Sequence, residues 1–362
     1  MSECSWKPNW EETKQHFRQW WQHEGLVIGQ WGGGPRRQPR EETGDPGVPE
    51  SRKEGYTNAR WRAASNHYGL ARQEFPMDVL PVSGLNIGPG SLALCLGSQP
   101  GFAESTVWFE PTMHTYTEPE TLPPLRFDPA NRWWRVHEAT ARAAAELGKG
   151  KYLVGCPDLV ENIDILAALR DPQTLLMDML DRPEWVEQKV EEINQAWFEV
   201  YSRLYEIIAL EDGSSAFDAF RIWGPGKTAK VQCDAAAMFS PAMFERFVVP
   251  ALTRQCEWLD YSMFHLDGSE CICQLDLLLS INALDAIEWT PDPNVPGGGD
   301  PAWYDMYRRI LAAGKSVQAL GVTEEQLVPL LDAVGGKGMY IMTELRDEAQ
   351  VERVARAVEP YR

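Results

Sequence analysis

The chain has 362 residues, 44% of them hydrophobic, and its 53 acidic against 34 basic side chains leave a formal net charge of −19. That balance repels phosphate backbones and anionic lipid, so a nucleic-acid or membrane-surface role is not expected. No apolar run approaches the roughly 20 residues of a membrane span. Seven scattered cysteines, behind an N-terminus lacking a basic and then apolar leader, read as reduced thiols in a cytoplasmic protein.

A helical, aromatic-rich extension is predicted over residues 1–24. The first strand is expected at 25–31 (GLVIGQW) and the second at 75–82 (FPMDVLPV). Runs at 152–156, 219–223, 261–265, 286–289, 316–320 and 338–342 follow, each stopped by Gly, Pro or a polar residue. Between the later runs the period changes. Residues 183–208 set Val186, Val190, Ile193, Trp197, Tyr201 and Leu204 on one helical face. Ser240 and Pro241 supply a cap and a first-turn proline for another helix. Thr323-Glu324-Glu325-Gln326 is a capping box ahead of residues 327–334. Strands alternating with helices imply a parallel sheet. Eight such strands favour a single (β/α)8 barrel over 25–362 rather than an open doubly wound sheet. Residues 32–58 and 292–301 lack periodicity and are rich in turn formers, so they are expected as long, lid-like loops.

The pair His265 and Asp267 stands out. Two residues apart on a strand, they share a face, and Gly268 ends the strand beside them. Barrels keep their chemistry at that end. The competing reading is a core histidine satisfied by a neighbouring acid. Other polar and aromatic residues recur at or near strand exits: Asp78, Trp31, Asn86, Asp158, Trp223, Gln232, Asp234, Glu288, Trp289, Gln318 and Glu344. A barrel would gather them around one mouth, where a polar ligand with apolar faces could bind. Zinc on His265 and Asp267 with Cys271 or Cys273 is a further possibility, but Cys-x-Cys is not the usual zinc-knuckle spacing, and inert buried thiols are favoured. The glycines at 224–226 and 297–299 lack phosphate-loop spacing and read as turns.

Residues 238–250 carry a Ser-Pro-x-x-Phe-x-x-Phe-x-x-Pro pattern, and 264–268 read Phe-His-Leu-Asp-Gly at a fitting distance. Together with 75–81, Gly88-Pro89-Gly90 and 106–111 they resemble the uroporphyrinogen decarboxylase superfamily. That superfamily includes corrinoid-linked methyltransferases and resembles the catalytic half of cobalamin-independent methionine synthase. The resemblance runs from about Gly25 onward. It implies a (β/α)8 barrel with its site at the strand C-termini. It also implies a catalytic role for Asp78, matched by its Phe-x-x-Asp-Val-Leu context.

The departures are as informative. Ile28-Gly29-Gln30-Trp31-Gly32-Gly33 stands where the decarboxylases place carboxylate-gripping arginines, so an octa-acid loses its main recognition. The methyltransferases hold zinc with His-x-Cys and a distant cysteine. Here His265 matches, Asp267 replaces the first cysteine, and Met342-Thr343-Glu344 lies where the second is expected. Oxygen ligands in place of thiolates harden such a site. The expectation is a methyltransferase-like enzyme acting on a small polar substrate, with His265, Asp267 and Asp78 catalytic. A lyase or decarboxylase of a small acid and a non-catalytic ligand-binding barrel are the alternatives. Zinc is the candidate cofactor, a corrinoid protein the candidate methyl donor or acceptor, and a homodimer the candidate assembly.

Overall fold

The chain is organised by β1 (Leu26–Gly29), β2 (Val82–Ser83), β3 (Leu153–Cys156), β4 (Ser215–Phe217), β5 (Ile222–Gly224), β6 (Thr228–Gln232), β7 (Tyr261–Asp267), β8 (Ala286–Thr290), β9 (Ser316–Ala319) and β10 (Met339–Met342). The computed structural model describes residues 4–103 and 107–362; residues 1–3, and Thr106 of the 106–111 motif, lie outside them. One sheet has the order β1-β10-β9-β8-β7-β6, all parallel. The other runs β2-β3-β4-β5, parallel except for the last pair. They meet at two seams without a regular ladder. At one, the Asp78 backbone N–H donates to Ile28 O at 3.0 Å. At the other, Ser215 Oγ donates to Gly226 O at 2.7 Å and accepts from Thr228 N at 3.3 Å. Helices connect the strands on the outside, giving the (β/α)8 barrel, with its fourth strand position elaborated into β4, β5 and β6.

Helix α1 (Trp10–Trp21) covers the end of the barrel where the strands begin. Trp20 Nε1 donates to Val317 O at the start of β9, and Trp21 Nε1 donates to Trp223 O. Trp10, Phe17 and Trp20 are at most 2% exposed, and a Phe-sized side chain so buried contributes about 1.5–3 kcal/mol. The predicted helix at 183–208 forms with those bounds as α2 (Pro183–Ile208). Ser240 caps the helix Pro241–Phe247, and the Thr323 capping box is present. Among the described residues no helix is long and apolar enough to cross a membrane.

Two predicted strands need correction. Residues 75–81 are irregular and only Val82–Ser83 enters a ladder, because Pro76 and Pro81 cannot donate to one. Residues 219–223 are not a wall strand. They form a tight turn, with Phe220 and Arg221 in the left-handed region at φ 60° and 51°, and then the antiparallel β5. This returning arm crosses the barrel interior. Gln318 Nε2 on β9 donates to Phe220 O at 2.8 Å, and Tyr340 Oη on β10 donates to Arg221 O at 3.0 Å. A barrel of this kind is ordinarily filled by layers of side chains; here backbone takes part of that space. Gly84 and Gly155 make room for the turn: a Cβ on either would lie under 3 Å from Asp218. The 32–58 loop is mostly irregular, with the short strand Gly34–Pro35 and the helix Arg52–Thr57 inside it.

Candidate active site at the barrel mouth

Pairing register explains which side chains meet. Gln232, His265, Glu288, Gln318 and Tyr340 are successive partners across five neighbouring strands, so they form one layer facing the interior. One step nearer the mouth, Asp267 pairs with Thr290. The intervening residues point outward; Phe264 packs edge-on against Phe244.

Within this layer His265 Nδ1 and Glu288 Oε2 share a short hydrogen bond, and Thr290 Oγ1 donates to the other carboxylate oxygen at 2.8 Å. Glu288 is fully buried. Burial pushes the imidazole down, but the charge and hydrogen bond of Glu288 override it and hold His265 above the usual histidine range. Burial likewise pushes the Glu288 carboxyl up, against the pull of His265. The pair therefore keeps its shared proton tightly. The other ring nitrogen, Nε2, lies 3.9 Å from Asp267 Oδ2. One ligand atom each from Asp234, His265 and Asp267 falls within 4.8 Å of the others.

Asp234 is fixed by its neighbours. Gln232 Nε2 donates to Asp234 Oδ2 at 2.8 Å and to Asp164 Oδ2 at 3.2 Å. Asp164 accepts the backbone N–H groups of Asp234 and Ala235 at 2.8 and 2.9 Å. Burial of the carboxyl on its protein side, and then the nearby Asp164, push Asp234 up to about 6. Below it Lys230 pairs with Asp158 at 2.7 Å and also reaches Gln232. Burial pushes this ammonium down, and Asp158 and Glu161 override that and hold it protonated. A cleft of about 530 Å³ opens beside Asp234, walled by Phe109, Val160, Ile165 and Met238.

Of the sequence-predicted residues, His265, Asp267, Asp234, Gln232 and Glu288 come together, and Asp158 supports them through Lys230. Trp31 and Asn86 lie at a separate part of the mouth with Asp218 and Arg221. Five others do not join the cluster. Asp78 is at the opposite end, bound to His16 and Arg362, because its strand starts there. Trp223 is in the aromatic base, 5.5 Å from the Trp10 ring. Trp289 is the neighbour of inward Glu288 and so faces outward onto Trp303 at 4.8 Å. Gln318 commits its amide nitrogen to the Phe220 carbonyl, and Glu344 is solvated and paired with Arg346. Sequence reasoning missed Lys230, Asp164 and Phe220, whose ring lies 4.6 Å from that of His265. Lys230 was findable, since i−2 from Gln232 shares its face.

The donor set can be tested against a divalent cation. With bonds near 2.1 Å, tetrahedral ligand atoms sit about 3.4 Å apart, so a cluster within 4.8 Å must tighten by up to about 1.4 Å. Asp267 is an exposed side chain able to do so, while Gln232 holds Asp234 by one carboxylate oxygen and Glu288 holds His265 with Nε2 outward, the usual support of a metal-bound histidine. The residues fit. Two oxygens and one nitrogen form a harder set than the thiolates the resemblance implied. Cys271 does not fall within the cluster; burial pushes its thiol up to about 12, and the neighbouring Asp234 and Asp267 charges add to that.

No protein-family model matches the chain, and none of the curated proteins matches it. Among solved structures it is similar to a B12-independent methionine synthase from Shewanella sp. W3-18-1 in complex with selenomethionine. The two are 13% identical over 92% of this chain and 96% of that one, with a TM-score of 0.48.

Proposed function

We propose that this chain is a methyltransferase-like enzyme that acts on a small polar substrate at the barrel mouth, with Asp234, His265 and Asp267 holding a divalent cation. The observation that carries the reading is the Glu288–His265 pair, which presents Nε2 to two carboxylates beside an open cleft. When bound, a cation in such a set lowers the pKa of a coordinated nucleophile. The protein's own residues do the rest. Glu288 orients the imidazole, Gln232 fixes Asp234, and the apolar cleft wall excludes water from one side of the substrate. The sequence resemblance over residues 238–268 supports group transfer, and a corrinoid protein is the methyl donor or acceptor we propose.

A lyase using Asp78 with His265 draws no support from this geometry, since the two groups lie at opposite ends of the barrel. A purely ligand-binding barrel would be favoured by an apolar or blocked mouth, and the charged layer argues against that.

Elemental analysis of the purified protein comes first, followed by loss of methyl groups from methylcobalamin to small thiols, read by absorbance. About one divalent cation per chain, lost in Asp234→Asn/Asp267→Asn, is the expected result. Equal metal content in wild type and double variant, with no transfer in either, would remove the basis of the reading.

A further inference from the structure

The mouth holds a second chamber, of about 330 Å³, at the small end of the roughly 300–1,000 Å³ range of ligand pockets. It is screened from His265 by the hairpin tip: the Phe220 ring is 4.6 Å from His265 on one side and 5.6 Å from Trp31 on the other. Its titratable wall groups are Arg62, Arg221 and Asp218. Two guanidinium groups thus face one carboxylate, a local positive balance in a chain of net charge −19.

That carboxylate is already committed. Asp218 accepts from Arg221 Nη1 at 2.7 Å and from Asn86 Nδ2 at 2.9 Å. Arg62 is not within ion-pair distance of it; among the described residues it donates one hydrogen bond, to Tyr56 O at 3.3 Å. Burial pushes the Arg62 guanidinium down, opposed by Asp218. The half-buried Arg62 guanidinium lies 5.8 Å from the Tyr56 ring centroid and keeps unspent donors at the chamber wall, which an anion would complete. Arg221 donates from Nε to Trp31 O at 2.8 Å and from Nη1 to Asp218 and to Val82 O, which leaves Nη2 toward the chamber. Asn66, one turn along the Arg62 helix, anchors that helix to Gly84 O at 2.7 Å. The remaining wall includes Leu70, Leu80 and Val82.

We infer that this chamber binds a small aliphatic carboxylate, its anionic group on the Arg62 guanidinium fork and the remaining Arg221 Nη2, and its chain against Leu70, Leu80 and Val82. The surplus of one positive charge suits a monoanion and not a phosphate dianion. A guanidinium fork matches carboxylate geometry bidentately, and the Leu70, Leu80 and Val82 part of the wall suits a short hydrocarbon chain. Only the further statement that this ligand is the substrate rests on the preceding proposal; binding does not.

The test is saturation-transfer NMR on the full chain with butyrate, its neutral isostere butyramide, and inorganic phosphate. Butyrate should bind saturably, at least about tenfold tighter than either of the others. Arg62→Gln should weaken butyrate about tenfold, and Arg62→Lys should recover part of it. Asp267→Asn should leave butyrate binding intact whatever it does to a cation, which separates failure of this site from failure of the metal site. Equal binding of butyramide, preference for phosphate, or full butyrate affinity in folded Arg62→Gln overturns the inference. If Arg62→Gln does not fold, the butyrate–butyramide comparison on the wild type decides.

Discussion

The two ends of the barrel each carry a histidine against a fully buried carboxylate, and they differ in what is left over. At the base, Asp78 accepts from His16 Nδ1 at 2.7 Å, Arg362 Nη2 at 2.9 Å and the Ile28 backbone N–H at 2.9 Å. Helix α1 and the C-terminal residue close over it. At the mouth, Glu288 is satisfied by His265 and Thr290, but His265 Nε2 still faces Asp267 and Asp234 beside a cleft. The base pair is a finished clamp. The mouth pair is a support with one donor position presented outward. Burial and a short hydrogen bond do not distinguish structure from site; an unspent valence facing further ligand groups at the rim does.

The sharpest way to break this comparison is at the base. Asp78→Ala takes the buried acceptor from His16 and from the Ile28 amide, while Arg362 can turn to water, and losing hydrogen bonds to such a charged group costs about 1.5–3 kcal/mol. Urea unfolding should show that loss, while cation affinity of the folded fraction stays unchanged. A variant of wild-type stability that had lost catalysis would put Asp78 back among the functional residues.

At the mouth the order reverses, and function should suffer more than stability. Glu288→Gln removes the carboxylate that orients His265, and supports of this kind typically contribute 10–100-fold in metal affinity. Asp267→Asn keeps the shape of a rim residue and should weaken cation binding by at least about tenfold, roughly 1.4 kcal/mol, with little change in melting temperature. Titration calorimetry with Mn²⁺ and Zn²⁺ measures both. A large stability loss in Asp267→Asn with cation binding retained would make the mouth pair a second clamp.

The contrast also shows what sequence could carry. Alternation along a strand is local, so His265 with Asp267 and Gln232 with Asp234 were legible as same-face pairs, and the strand–helix rhythm was enough for the barrel. Whether a strand residue stands at its start or its exit depends on register, which is non-local. Asp78, read as an exit residue from its motif, lies at a start for that reason. Trp289 failed through the same period of two that made Glu288 inward. The β4–β5 excursion was illegible because residues 219–223 have the apolar composition of a wall strand, while their backbone partners, Gln318 and Tyr340, are about 100 residues or more away.

The pH dependence follows from the shifts at the mouth. Asp234, raised to about 6 from an unfolded value near 3.9, binds a proton in the folded state that the unfolded chain has released. Its contribution to stability therefore falls as pH rises from about 4 to 6. His265 lies above its unfolded value, so its contribution is full below about 6.5 and is lost as pH rises through the folded value. Cation binding needs both protons gone and should strengthen with pH through this range, with proton release detectable by calorimetry in buffers of different ionisation enthalpy. Asp234→Asn should remove the lower inflection. Affinity flat between pH 5 and 8 would mean that neither group is a ligand.

The smallest expected effect discriminates the donor set itself. Asp267→Cys replaces a hard oxygen by a thiolate at a rim position whose side chain is 45% exposed, so folding should be little disturbed. If Asp267 is a ligand, the substitution softens the site, and the ratio of Zn²⁺ to Mn²⁺ affinity should rise several-fold, about 1 kcal/mol. The shift should require His265: in Asp267→Cys/His265→Gln the zinc preference should return toward that of a surface thiol. A base-end control, Asp78→Cys, stands at a fully buried position and should gain no zinc even if it folds. An Asp267→Cys variant whose metal preference matches wild type would place Asp267 outside the coordination sphere. His265 and Asp234 would then be left as a two-residue proton-transfer pair.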